Sequence, residues 1–168
     1  STSCNETIDA CVSAQACFTI LTNMKTKTTK NSNNKNIMAK KKVVLAFSGG
    51  LDTSFCVKYL SEECGYDVYT AIANTGGFNQ EELKSIEERA YKLGAVQHAT
   101  LDITQEYYQK SIKYMVFGNI LRNGTYPISV SSERIFQAIA IINYAKEIGA
   151  DYVAHGSTGA GNDQVRFD

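Results

Sequence analysis

The chain is 168 residues long, 43% apolar and 20% charged, with a formal net charge of zero, which is material for one ordinary domain with its own core. The neutral total hides two unequal parts: residues 1–42 carry seven lysines against two acids, while the ten cations of residues 43–168 face fifteen acids. An acidic body has no electrostatic reason to hold nucleic acid, so a small ligand gripped by a local site is expected. Five cysteines, at positions 4, 11, 17, 56 and 64, form no Cys-x-x-Cys pair and include an odd one; this argues against a disulfide framework and for a reducing, cytoplasmic setting.

Residues 1–37 contain none of the twelve glycines and none of the ten tyrosines, and end in the polar run 25–36. Glu6 and Asp9 precede the apolar stretch 16–21, which is too short to span a bilayer, so neither a signal peptide nor a membrane anchor fits. A transit peptide would be rich in Arg, and the first Arg here is Arg89. Met38-Ala39-Lys40 reads as a natural start. Residues 1–37 are therefore expected to be a disordered or foreign leader, with a tether or targeting arm as the functional alternative, and 38–168 the folded domain.

The apolar run 43–47 predicts a strand, followed at once by Ser48-Gly49-Gly50-Leu51-Asp52-Thr53-Ser54. Two adjacent glycines let the backbone bend back and bring its amides close to an oxyanion. A helix expected over 53–63, with Phe55, Val57, Tyr59 and Leu60 apolar, aims its N-terminus at the same spot, where free N–H groups and the helix dipole favour an anion. The hydroxyls of Ser48, Thr53 and Ser54 add donors. Asp52 brings a negative charge to a place suited to phosphates, which implies Mg²⁺ beside it. No glycine is followed by Lys, which excludes Gly-x-x-x-x-Gly-Lys-Ser/Thr, and Gly159-Ala160-Gly161 meets Gln164 where the dinucleotide fingerprint needs its third glycine. The bland alternative is an ordinary strand-to-helix turn capped by Asp52 or Thr53; the hydroxyl density exceeds what a cap requires.

A second strand is expected at 68–73. Asn79 can cap a helix with Leu83, Ile86, Ala90 and Leu93 on one face and Glu81, Glu82, Lys84, Glu87, Glu88 and Lys92 on the other, stopped by Gly94. A third strand follows at 96–101, then a helix over 104–117 with Tyr108, Ile112 and Met115 in register and Tyr107, Tyr108 and Tyr114 half-buried. His98, inside the third strand, reads as structural. A longer helix over 132–148 shows Ile135, Ala138, Ile139, Ile142 and Ala145 on one face. A fourth strand at 151–154 runs into a second glycine and hydroxyl loop, 155–163. The alternation predicts an α/β fold, a parallel twisted sheet with helices on both faces (Rossmann-like), whose ligand crevice opens at the carboxyl ends of the strands.

From about residue 42 to 168 the chain resembles the argininosuccinate synthase family of the ATP-pyrophosphatase (PP-loop) superfamily. The resemblance rests on Ala46-Phe47-Ser48-Gly49-Gly50-Leu51-Asp52-Thr53-Ser54 and on Ala154-His155-Gly156-Ser157-Thr158-Gly159-Ala160-Gly161-Asn162-Asp163-Gln164-Val165-Arg166-Phe167. The first string marks only the superfamily, which includes GMP synthetases, NAD synthetases and tRNA-thiolating enzymes; the second is close to private to the family. The resemblance implies an adenine nucleotide alpha-hydrolase-like fold and an ATP-dependent ligation of citrulline and aspartate to argininosuccinate through a citrullyl-adenylate, releasing AMP and pyrophosphate. It implies ATP contacts at Ala46, Phe47, Ser48, Gly49, Gly50, Leu51, Asp52, Thr53, Ser54, Ala73 and Gly156, with Mg²⁺ near Asp52. It implies citrulline contacts at Tyr126, Ser131, Asn162 and Arg166, aspartate contacts at Thr158, Asn162 and Asp163, and no covalent nucleophile.

Family members continue into a second domain that completes the amino-acid site and the homotetramer, so residues 38–168 are expected to be an amino-terminal ATP-binding part. The chain departs from the family pattern at Gly77, Ala160 and across 125–135. Two other readings stay open: a different adenylating enzyme of the superfamily, and a fragment that binds ATP without catalysis. No membrane or nucleic-acid partner is expected.

Overall fold

The structure, a computed structural model, describes residues 19–21 and 40–157. Strands β1 (Thr19–Leu21), β2 (Lys42–Ala46), β3 (Asp67–Asn74), β4 (Gln97–Asp102) and β7 (Tyr152–His155) form one sheet in the order β1-β7-β2-β3-β4. Strands β7, β2, β3 and β4 are parallel, with Val44 opposite both Tyr69 and Val153. Strand β1 is antiparallel to β7, Ile20 facing Ala154. Three residues of the segment expected to be an unstructured leader thus pair with the sheet edge; the rest of that segment lies outside the described residues. A separate two-stranded ribbon joins β5 (Leu121–Arg122) to β6 (Tyr126–Pro127).

Because side chains alternate along a strand, the central strands supply two cores. Val43, Leu45, Val68, Ile72 and Ala154 meet Cys56, Val57 and Leu60 of α1 (Leu51–Lys58) and its π-helical extension (Tyr59–Glu63), together with Leu83, Ile86 and Ala90 of α2 (Gln80–Lys92). Val44, Ala71 and Val153 point the other way, onto Ile141, Tyr144 and Ala145 of α5 (Ser129–Glu147). Each buried Val or Leu here contributes about 1.5–3 kcal/mol. The parallel sheet with helices on both faces is the expected architecture, and the carboxyl ends of β2, β3 and β7 share one edge.

Three details differ from the sequence reading. The segment after β4 is helical over its expected length, but in three pieces: α3 (Thr104–Tyr107), a π turn (Tyr108–Ile112) and α4 (Lys113–Phe117). The wider turn shifts the phase of the helix. Tyr107 is the buried tyrosine, its hydroxyl donating to the Ser129 carbonyl at 2.7 Å and its ring tilted against Phe136, while Tyr108 and Tyr114 are about half exposed. Helix α5 starts at Ser129 and buries the stripe Ile141, Tyr144 and Ala145; Ile135 and Ile139, expected inside, are each 49% exposed. Isoleucines lie all round this helix, so periodicity alone does not select a face. The first helix begins at Leu51, two residues early, and leaves Phe55 outside, stacked on Tyr59.

Candidate functional site

Strand β2 ends at Ala46, and the chain turns over the sheet edge through Phe47 and Ser48. Phe47 is 2% exposed, donates its amide to the Ala71 carbonyl at 2.9 Å and presents its ring edge-on to His98. Gly49 then takes φ +75, and an added Cβ there would lie 3.1 Å from Ile86 Cγ1 of α2. The position combines a left-handed backbone with a neighbour that would have to give way to a Cβ, and both favour glycine. Gly50 is the N-cap of α1 in an extended conformation, with no side-chain cap hydrogen bond. Among the described residues no side chain accepts from the first amides of α1, and Asp52 stands exposed in that first turn.

The hydroxyls expected to serve an anion divide. Thr53 is buried; its Oγ1 donates to the Gly50 carbonyl at 3.2 Å, so its single proton is committed within the turn. Ser48 Oγ lies 3.4 Å from Thr53 Oγ1. With the Thr53 proton engaged, Ser48 is the donor across that long contact, and it can be drawn away to a better acceptor. Ser54 anchors the turn through its amide, which donates to the Gly50 carbonyl at 3.0 Å.

Strand β7 brings the second loop to the same place. A Cβ on Gly156 would sit 3.0 Å from Thr53 Cγ2 and 3.5 Å from the Thr53 amide nitrogen, so the second glycine loop begins against the first turn of α1. His155, 2% exposed, accepts the Ser157 amide at Nδ1, 3.2 Å, and thereby shapes the exit from the strand. Ala73 lies buried in β3, opposite Leu101 and one residue from that strand's end. Strands β2, β3 and β7 thus gather Ala46 to Ser54, Ala73 and Gly156 at one sheet edge, as expected.

Ser131 sits in the first turn of α5, its amide donating to the Ile128 carbonyl, and Tyr126 lies in β6. No described contact joins Ser131 to the 48–54 loop. The start of α5 is nevertheless tied to the β3 edge by side chains that sequence reasoning missed. The Thr75 hydroxyl donates to Glu133 Oε1 at 2.6 Å, and Gln137 donates to the same oxygen at 3.3 Å. Arg89 of α2, also missed, donates from Nη1 to the Gly49 carbonyl at 2.5 Å. Both links cross 40 residues or more, and no local spacing announces them. Thr158, Ala160, Asn162, Asp163 and Arg166 lie outside the described residues.

Among the described residues no three His, Cys, Asp or Glu side chains converge as a metal site. A lone carboxylate suits Mg²⁺ only when phosphate oxygens and water complete the shell. Behind the loop, His98 is buried, its Nδ1 2.9 Å from Thr70 Oγ1; burial pushes its pKa below the usual 6.5, and the charge of Glu87 opposes that shift. No described helix is long and apolar enough to cross a membrane.

The family model described as "Arginosuccinate synthase N-terminal HUP domain" matches residues 42–168. Among curated proteins, the chain is 46% identical over 131 residues to the argininosuccinate synthase of Pyrobaculum aerophilum, and 48% identical over 131 residues to that of Xanthomonas campestris pv. campestris. Each alignment covers 78% of this chain and 32% of the relative. The enzyme of Methanocaldococcus jannaschii is 43% identical over 125 residues, 74% of this chain and 31% of that one. A solved NMN synthetase from Francisella tularensis is a distant likeness, with TM-score 0.47 and 16% identity over 66% of this chain and 42% of its own. The chain spans about a third of the length of the curated relatives it matches. Residues 42–168 make the chain a member of the argininosuccinate synthase family, corresponding to that family's N-terminal HUP domain.

Proposed function

We propose that residues 38–168 form the ATP-binding part of an enzyme that ligates citrulline and aspartate to argininosuccinate, with 1–37 a leader that meets the sheet edge through Thr19–Leu21. The observation that supports this most is the first turn of α1, where a glycine cap leaves backbone amides without a side-chain acceptor among the described residues, beside Ser48, Asp52 and the incoming Gly156. Such a turn suits the β and γ phosphates of ATP, and donors aimed at pyrophosphate stabilise the charge that builds as it leaves. The ureido oxygen of citrulline attacks the α-phosphorus, pyrophosphate departs, and the aspartate amine displaces AMP. Ser48 and Ser54 would donate hydroxyl protons to phosphate oxygens, with Thr53 holding the turn. Asp52 would face the Mg²⁺ that arrives with the nucleotide. Ala46, Phe47, Leu51 and Ala73 would line the nucleotide, with Gly156 closing on it.

By family resemblance, we assign Tyr126, Ser131, Asn162 and Arg166 to citrulline, and Thr158, Asn162 and Asp163 to aspartate. An Arg166 fork on a carboxylate and an Asp163 contact to an α-ammonium suit those groups. The same resemblance suggests a homotetramer for the full-length enzyme, and together with the odd cysteine count a cytoplasmic setting.

Calorimetric titration with Mg·ATP, with and without citrulline, tests the reading. Saturable binding strengthened by citrulline is expected. Gly50→Asp is the control, because a Cβ there meets only Ser48 Oγ at 3.5 Å and an Asp cap suits the helix, yet its charge opposes phosphate. The variant should melt no lower than the wild type and lose ATP binding. Binding indifferent to citrulline would favour another adenylating enzyme of the superfamily, and no binding by the folded chain would sink the cradle.

A further inference from the structure

We propose that Arg89 is a positioning residue that locks the Gly49–Gly50 peptide in the orientation a phosphate needs. The inference deepens the phosphate-loop reading above. Helix α2 is rich in acids, Glu81, Glu82, Glu87 and Glu88 among them, yet among the described residues no carboxylate pairs with Arg89. Its guanidinium instead spans 40 positions of sequence to the carbonyl of Gly49. That carbonyl belongs to a residue at φ +75, followed by a second glycine. A peptide between two glycines rotates at little steric cost, so without an external partner it has no reason to keep one face toward the ligand.

The peptide is trans, so its carbonyl and N–H point in opposite directions. Fixing the Gly49 oxygen on the α2 side therefore turns the Gly50 N–H away from α2. It also keeps a carbonyl dipole, which would repel an anion, out of the cradle. Ile86, one turn before Arg89, lies 3.1 Å from where a Gly49 Cβ would be, so α2 supports the loop by packing as well as by a charge-assisted hydrogen bond. Arg89 works through the peptide and need not touch the ligand.

Arg89→Met keeps the aliphatic stem and removes the donors. Backbone ¹⁵N relaxation in the ligand-free full chain reads the lock directly: order parameters at Gly50 and Leu51 should fall, with those of Val43 to Leu45 and the body of α2 unchanged. Mg-pyrophosphate affinity should fall about tenfold, the loss of one charge-assisted hydrogen bond, while AMP affinity stays within about twofold because AMP lacks the phosphates concerned. Arg89→Lys should recover part of both losses. Unchanged order parameters at Gly50 and Leu51 overturn the proposal, as does a fall shared equally by α2 and β2, the mark of a merely structural residue. Should the order parameters respond as expected while the wild type binds no pyrophosphate, the lock stands and the nucleotide reading fails.

Discussion

Helices α1 and α2 pack on the same face of the sheet, and each begins just beyond the carboxyl end of a strand, yet their first turns are finished in opposite ways. In α2, Asn79 Oδ1 accepts the Glu82 amide at 2.8 Å and Glu82 Oε2 accepts the Asn79 amide at 2.9 Å, a complete capping box. In α1 the cap is Gly50, and among the described residues no side chain accepts from the turn. A glycine cap costs only a few tenths of a kcal/mol against Ser or Asp, so the difference lies less in stability than in who supplies the acceptor. Helix α2 closes its end with its own carboxylate and amide; among the described residues, the end of α1 stays open. The two are connected, because the closed helix carries Arg89 and Ile86, which hold the open one's loop.

The largest effect is expected where the two helices meet. Gly49→Ala places a methyl 3.1 Å from Ile86 Cγ1 on a backbone at φ +75. The left-handed conformation alone costs about 1–2 kcal/mol for a non-glycine residue, and relief requires either Ile86 or the loop to move. Denaturant unfolding should show a loss of about that size or more, and calorimetry a loss of Mg·ATP binding well beyond tenfold. Full ATP affinity in a destabilised variant would mean that the loop tolerates displacement and that α2 does not shape it.

A smaller effect comes from the wall behind the loop, where Phe47 meets His98. Burial holds the His98 imidazole neutral and its pKa below 6.5, with Glu87 pulling the other way. The unfolded chain therefore takes up a proton first as pH falls. Stability is full above about pH 6.5 and declines as pH drops through that value toward the folded pKa, with a limiting slope of about 1.4 kcal/mol per pH unit. Urea melts between pH 7.5 and 5 should show this slope in the wild type and a flatter one in His98→Phe. Parallel curves would assign the acid sensitivity to other groups and leave His98 as packing only.

What could be read from the sequence follows the same division between local and distant causes. Asn79, the stripe Leu83, Ile86 and Ala90, and the stop at Gly94 were all legible, since capping and periodicity act within a few residues. The 48–54 loop was legible for the same reason, as a strand, two glycines and a helix start in succession. The face of α5 was not, because Ile135, Ile139 and Ile141 make it apolar all round and only packing on Val44, Ala71 and Val153 chooses a side. The phase of the 104–117 segment was lost at its π turn, which exchanged Tyr108 for Tyr107 in the interior. Arg89 to Gly49 and Thr75 to Glu133 join residues 40 and 58 positions apart. Their residue types are ordinary surface choices until the fold brings them together, so the cradle was visible while its supports were not.

The smallest expected effect isolates the closed helix end from the open one. Asn79→Ala removes the acceptor for the Glu82 amide and strands half of the capping box, a loss of about 1 kcal/mol in unfolding free energy. Asn79 is exposed and belongs to the loop after β3, so if α2's first turn serves stability alone, Mg·ATP affinity should stay within about twofold of wild type. Gly50→Asp reverses the pattern, keeping stability and losing the ligand. Observing both would separate a cap made for the fold from one left open for phosphate. A fall in ATP affinity with Asn79→Ala would instead make the 75–79 loop part of the nucleotide site, and the contrast between the two helix ends would no longer hold.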